Sequence, residues 1–335
     1  MKTVFTTARG EVHQRHALNA APPELTITLL RQPERDTLKA ALREAVYWIS
    51  ERAEVIDADL IAAAPQLRLI LRLGSSSYDI DTAAAQAAGV IVCTWPDAGV
   101  IRVAEHVLMQ MLVLSKRLNE TQRIALSGMD YGRERRRTDE NTFSYNWSRR
   151  ENLGGLYGRR AGILGFGEIG TELARRLQPW GMTLFYNKRT RLPAHIEHEL
   201  GLIYAARDDL LRESDFLINL LPYFPETDHS LDAAAFARMP SGSYVVSAGS
   251  GSVMDEVALA QAVESGHLGG AALDTYEIEP LLPDHPLVVL AKAGHNVVLT
   301  PHVAAVGVAS SNPRIEDYTN ILRHLRGEPV LNRVV

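Results

Sequence analysis

Between residues 25 and 95, short runs rich in apolar residues (25–30, 67–71 and 90–93) alternate with stretches at 57–64 and 80–88 whose apolar positions recur at helical spacing. That alternation predicts a small parallel α/β unit. A longer pattern over 103–116, apolar nearly all round, predicts a helix buried between domains or subunits and crossing from one domain to the next. Residues 128–155 keep no period. They are rich in Gly, Arg, Asn and Ser with Tyr131, Phe143, Tyr145 and Trp147 interspersed, as in an irregular arm that buries its aromatics on a partner, or in an ordinary exposed loop. From 161 the alternation resumes, with strands near 182–187, 215–221, 243–247, 269–274 and 296–300 and helices near 168–180, 207–212, 232–238 and 255–265. This predicts a doubly wound nucleotide-binding domain. A last helical run over 315–326 lies beyond it, placed to return to the first domain. The expected division is 1–100 plus 303–335 as one discontinuous domain and 101–302 as the other, with an arm at about 120–150.

The most informative segment is 161–170, Ala-Gly-Ile-Leu-Gly-Phe-Gly-Glu-Ile-Gly, an apolar strand running through Gly165, Gly167 and Gly170 into a helical pattern. In a dinucleotide site the first glycine permits the tight turn. The second lets the main chain approach a pyrophosphate, and the third lets helix and strand pack closely. The helix start adds free N–H groups and a favourable dipole. A bare motif of this kind also occurs as a Gly-rich turn with no ligand, but here strand, helix and a second strand at 182–186 complete a βαβ unit. An Asp or Glu about 20 residues past the first glycine normally holds the ribose hydroxyls of NAD. Asn187 stands there instead, followed by Lys188, Arg189, Thr190 and Arg191. That charge suits the 2′-phosphate of NADP(H), which is favoured over NAD(H); the bland reading is a solvated basic turn on an NAD enzyme.

Composition narrows the picture further. A chain of 335 residues with 46% hydrophobic content can bury two cores. Its net charge of −5, with mixed signs, gives no footprint for nucleic acid, and the run at 133–137 reads as a solvated arm. The single cysteine, Cys93, excludes an intrachain disulfide framework and suits a reducing compartment, so cytoplasm is the expected location. Residues 1–16 have no apolar signal region, and no uninterrupted apolar stretch approaches the ~18 residues of a membrane span, so no membrane partner is expected. Nor is a metal site.

In an open α/β sheet, ligands sit at the carboxyl ends of strands. Three clusters qualify: 247–252, 274–280 and 300–302. A His and a carboxylate converging there would give a general acid/base of the kind carbonyl reduction requires. Taken alone, His302 would more often be a structural or surface histidine.

With these residues in view, the whole chain resembles the D-isomer-specific 2-hydroxyacid dehydrogenase family, nearest in pattern to its glyoxylate/hydroxypyruvate reductase and phosphoglycerate dehydrogenase-like members. The resemblance rests on 74–81 (Gly-Ser-Ser-Ser-Tyr-Asp-Ile-Asp), 103–106 (Val-Ala-Glu-His), the glycine motif, Leu221-Pro222 with Glu226-Thr227, 254–256 (Met-Asp-Glu), 269–274 (Gly-Gly-Ala-Ala-Leu-Asp), Glu279-Pro280 and 300–302 (Thr-Pro-His). It implies an α/β architecture of two Rossmann-like doubly wound parallel-sheet domains, the first flavodoxin-like, with the active site in the interdomain cleft. It also implies homodimers and hydride transfer between a nicotinamide and a small 2-oxo or 2-hydroxy acid. By position, His302 matches the family's proton donor and Glu279 the carboxylate that orients it. Asp274 matches a residue near the nicotinamide carboxamide. The implied cofactor contacts are Gly165, Phe166, Gly167, Glu168, Ile169, Gly170, Asn187, Lys188, Arg189, Thr190, Leu221, Pro222, Thr227, Ala248 and Gly249 with Asp274. Ser75, Ser76 and Ser77 match the segment that holds the substrate carboxylate, with Ser76 in place of a usual glycine and Tyr78 in place of a usual acid.

The departure that matters is Ser250, at the position where the family carries the arginine that clamps the substrate carboxylate and polarises the carbonyl. A hydroxyl cannot supply a bidentate charged pair. Two readings follow. In one, Ser250 joins the catalytic set of a reductase whose substrate lacks a carboxylate or is held by another cation such as Arg72 or Arg102, each more often structural. In the other, the protein binds nucleotide with little turnover.

Overall fold

The apolar runs become two separate parallel sheets in a computed structural model that describes residues 1–51, 53–143, 145–307 and 314–335. The described chain divides into Met1–Val100 with Gly307–Val335, and Ile101–Val306. The first unit contains β1 (Lys2–Thr7), α1 (Glu11–Ala20), β2 (Thr26–Arg31), α2 (Arg35–Leu42), β3 (Tyr47–Ser50), α3 (Ala58–Ala62), β4 (Leu69–Leu73), α4 (Thr82–Ala87) and β5 (Ile91–Trp95). Its strand order is β2-β1-β3-β4-β5, all parallel, as in flavodoxin-like sheets. β1, β3, α1 and α2 went unread in the sequence. β1 mixes three threonines with its apolar residues, and β3 has only four residues, all buried.

The second unit takes α5 (Ala98–Lys116) from Ile101 on, α6 (Leu118–Ser127), β6 (Arg160–Leu164), α7 (Glu168–Leu177), β7 (Thr183–Asn187), α8 (Ala194–Leu200), β8 (Leu202–Tyr204), α9 (Arg207–Glu213), β9 (Phe216–Asn219), α10 (Ala233–Arg238), β10 (Tyr244–Ser247), α11 (Glu256–Glu264), β11 (Gly270–Leu273), α12 (Pro286–Ala293) and β12 (Val297–Leu299). The order β12-β11-β10-β9-β6-β7-β8 reverses direction between β6 and β9, the switch point where doubly wound sheets take ligands. β9 and β11 are buried along their whole length, as expected of strands covered on both faces. The last helix, α13 (Thr319–Leu325), belongs to the first unit, where the neighbouring Tyr318 hydroxyl donates to the Ala17 carbonyl oxygen.

By length and composition α5 is the one helix among the described residues apolar enough to cross a membrane, with mean hydropathy 1.3. It nonetheless carries Arg102 and Glu105, and it buries Gln110 beside Val107, Met111 and Leu114. No residue of α6 is fully buried. In the arm that follows, Phe143 and Tyr145 are exposed, while the Tyr131 and Trp147 rings pack on one another with centroids 5.9 Å apart.

Candidate active site

The turn after β6 is built around Gly165. Its φ of +80° lies in the left-handed region, and a Cβ there would stand 2.6 Å from the Leu221 nitrogen. Only glycine lets the two strand ends approach this closely. The Gly165 and Phe166 N–H groups both donate to the Asn187 carbonyl oxygen, tying the turn to the end of β7. At Gly167 the opposite holds: a Cβ would meet nothing within 4 Å, so open space lies before the first turn of α7. Gly170 packs on the Phe166 ring. An unobstructed glycine at a helix N-terminus is the cradle a pyrophosphate needs. Glu168 and Ile169 open α7 beside it.

At the end of β7 the basic residues part company. Arg191 is turned back into a bidentate pair with Glu197, at 2.8 Å for both bonds, and lies over the Tyr204 ring. In this structure its charge is therefore already paired, which the charge pattern at 188–191 does not reveal. Asn187 uses its side-chain amide to hold the Ala205 carbonyl oxygen. Arg189 is exposed and sits 5.0 Å over the Phe224 ring, and Thr190 is exposed beside it. Across the switch point, Asn219 accepts the Leu221 N–H, and the Thr227 hydroxyl accepts the Phe224 N–H and donates to the Pro222 carbonyl oxygen, fixing the turn after β9.

The turns after β9, β10 and β11 interlock. The Ala248 N–H donates to Asn219 O and the Ser250 N–H to Leu221 O, while the Thr275 hydroxyl donates to Gly249 O. A Cβ on Gly251 would lie 1.9 Å from the Tyr276 carbonyl carbon, so the Ser250 turn rests directly on the turn that carries Glu279. The Ser250 hydroxyl makes no hydrogen bond among the described residues. Glu256, buried at the start of α11, steadies the same region: it accepts the Glu277 N–H at 3.1 Å and meets His285 Nε2 at 3.0 Å. Burial pushes its carboxyl up, with these partners opposing the shift.

His302 Nδ1 lies 2.8 Å from Glu279 Oε2, and Glu279 Oε1 accepts the Tyr276 N–H at 3.0 Å. Partial burial works against the Glu279 charge, but the His302 and Tyr276 bonds prevail and hold the carboxyl below its ordinary range. A carboxylate at Nδ1 requires the proton there, which leaves Nε2 as the working nitrogen. The imidazole itself is exposed, and its backbone has a φ of +53°. Asp274, almost fully buried, holds the loop underneath: its oxygens accept the Thr300 hydroxyl at 2.6 Å and the Val303 and Ala304 N–H groups at 3.0 and 2.8 Å. The Thr300 hydroxyl also meets His106 Nε2 at 3.0 Å. That contact escaped the sequence reading; the signal available was the helical spacing of Arg102, His106 and Gln110.

Within the second unit the structure thus brings His302, Glu279 and Asp274 together and sets Ser250 on the adjoining turn. Ser75, Ser76 and Ser77 follow β4 in the first unit, with Ser75 and Ser76 buried. Arg72, at the end of β4, has a fully buried side chain and is paired with Asp79 at 2.9 Å. It is structural, and its guanidinium is not offered to a ligand.

A doubly wound sheet with a glycine turn at its switch point and a His–carboxylate pair at its carboxyl edge defines a dinucleotide-dependent class of protein. The chain belongs to the D-isomer specific 2-hydroxyacid dehydrogenase family, whose NAD binding domain profile matches residues 108–304. It is 34% identical over 274 residues to D-3-phosphoglycerate dehydrogenase of Mycobacterium leprae, covering 82% of this chain and 48% of that one, so it spans about half the length of that relative. It is 35% identical to glyoxylate reductase of Aeropyrum pernix, covering 82% of this chain and 77% of that protein. Among solved structures, the PH0520 protein of Pyrococcus horikoshii matches with a TM-score of 0.58 at 26% identity, covering 99% of this chain and 94% of the other. NAD-dependent formate dehydrogenase of Staphylococcus aureus, solved with NAD, matches at 0.54 and 25%, covering 100% and 99%.

Proposed function

We propose that this protein is a nicotinamide-dependent oxidoreductase that reduces a small 2-oxo acid or related carbonyl, with His302 as proton donor and NADP(H) preferred over NAD(H). The observation that carries the reading is the His302–Glu279 bond at the carboxyl edge, which leaves Nε2 of the exposed imidazole as the working nitrogen. The open space at Gly167 fits a dinucleotide pyrophosphate, and the turns bearing Leu221, Pro222, Thr227, Ala248 and Gly249 would flank the rest of the cofactor. Lys188, Arg189 and Thr190 would receive the 2′-phosphate. A bound nicotinamide would supply the hydride. His302 would give the matching proton to the carbonyl oxygen, Glu279 would stabilise the imidazolium until it does so, and Asp274 would hold the loop in place. The backbone at Ser75, Ser76 and Ser77 is proposed to meet the substrate. A homodimer is proposed on the strength of the family and of the unburied α6. A cytoplasmic setting suits the buried Cys93, whose thiol burial pushes up to about 12, the Asn320 bond opposing it.

Calorimetric titration with NADPH and NADH, followed by cofactor oxidation with glyoxylate and hydroxypyruvate, tests this. NADPH binding tighter by at least about tenfold, with turnover, supports it. Tight binding without turnover favours a nucleotide-binding protein disabled by Ser250, and binding of neither cofactor overturns both readings.

A further inference from the structure

α5 and β12 run antiparallel. Asn296, just before the strand, donates to the Leu114 carbonyl oxygen at 3.1 Å, while at the strand's other end Thr300 Oγ1 meets Gln110 Nε2 at 3.5 Å and His106 Nε2 at 3.0 Å. Each step toward the N-terminus of α5 is therefore a step past the carboxyl edge of the sheet. Arg102 is the next residue on that stripe, four positions or ~6 Å beyond His106. That brings it level with the chain leaving β12, where Pro301 and His302 stand.

Arg102 is half-buried and, among the described residues, makes no hydrogen bond, ion pair or ring contact. The other half-buried arginines of this unit, Arg117, Arg150, Arg160, Arg176 and Arg207, each hold a carboxylate. A guanidinium drawn out of water without an acidic partner calls for an anionic ligand. Position 250, on the turn that packs against the Glu279 segment, offers only a hydroxyl.

Resting on the reductase reading, we propose that Arg102 is the cation that holds the substrate's carboxylate, from α5 rather than from the turn after β10. The guanidinium is suited to grip a carboxylate through two parallel N–H bonds. The substrate this selects is a 2-oxo acid held by its own carboxylate.

Oxalate, an unreactive carboxylate probe, is titrated by calorimetry into the NADPH-loaded protein. Arg102→Ala is expected to weaken oxalate binding at least ~30-fold while NADPH affinity moves by less than about threefold. Arg102→Lys recovers part of the loss, because a point charge replaces the fork, and Ser250→Arg added to Arg102→Ala recovers more. KM for glyoxylate rises in the same proportion. Oxalate affinity unchanged in Arg102→Ala overturns the proposal, as does a wild-type protein that binds no oxalate. Arg102-dependent oxalate binding with no turnover of any 2-oxo acid leaves the anion site standing and sinks the reductase reading.

Discussion

Glu279 does two things for His302: it fixes the proton on Nδ1 and supplies the negative charge that an imidazolium needs. Its own partners hold it below the ordinary carboxylate range, in spite of partial burial. The contribution of its charge is complete above the unfolded carboxyl value and is lost only as pH falls through the lowered one, so the Glu279–His302 arrangement persists on the acid side where a free glutamate would already be protonated. Glu279→Gln keeps the shape and removes the charge. It is expected to lower kcat for 2-oxo acid reduction on the order of 100-fold, with NADPH affinity unchanged by calorimetry. A variant with wild-type kcat would mean that His302 works without the carboxylate. Position in sequence alone made the pair a candidate, because both residues follow strand ends. The convergence of Asp274, Thr300 and His106 was not legible, since it joins residues up to 194 apart through tertiary contact.

At the scale of elements, the glycine turn was the most readable feature because its geometry is local: strand, turn and helix lie within one short run. The same turn separates two kinds of glycine that the sequence motif treats alike. Gly165 is demanded by the fold, with a left-handed φ and a neighbouring backbone at 2.6 Å. Gly165→Ala is expected to cost at least about 2 kcal/mol. Gly167 has an ordinary φ of −127° and nothing near its Cβ position. Gly167→Ala is expected to leave the thermal midpoint within about 2 °C while weakening NADPH binding by tenfold or more, because the added methyl occupies the pyrophosphate's approach. Thermal unfolding and cofactor titration of both variants check this; a Gly167→Ala protein that binds NADPH normally would remove the pyrophosphate from this turn. Arg191 shows what a charge pattern cannot reveal. The sequence places four residues in one basic run, and only the fold shows that Glu197, six positions on in α8, claims one of them.

For the whole molecule, two hydrophobic cores were foreseeable from length and apolar content. β1, α1, α2, β3, α6, α8, β8 and α12 were not, most of them being short or lacking a clear period. What the chain's own cores leave over is α6 and the arm after it. Leu118 and Leu126 on α6 and Met129 just beyond are exposed, Leu126 at 79%. A helix with no fully buried residue in its own chain draws little stability from packing and is marginal by propensity alone at ten residues. A second copy laid on this face would supply the missing burial, each covered leucine contributing about 1.5–3 kcal/mol. Leu126→Glu combined with Met129→Glu is therefore expected to convert a dimer into a 37.0 kDa monomer in sedimentation velocity. Both cores should remain intact, since neither residue is buried in them, so the thermal midpoint at high dilution should match the wild type's. A variant that still sediments as a dimer would move the interface away from the arm, and a wild-type protein that sediments as a monomer would leave α6 without the partner its exposed leucines imply.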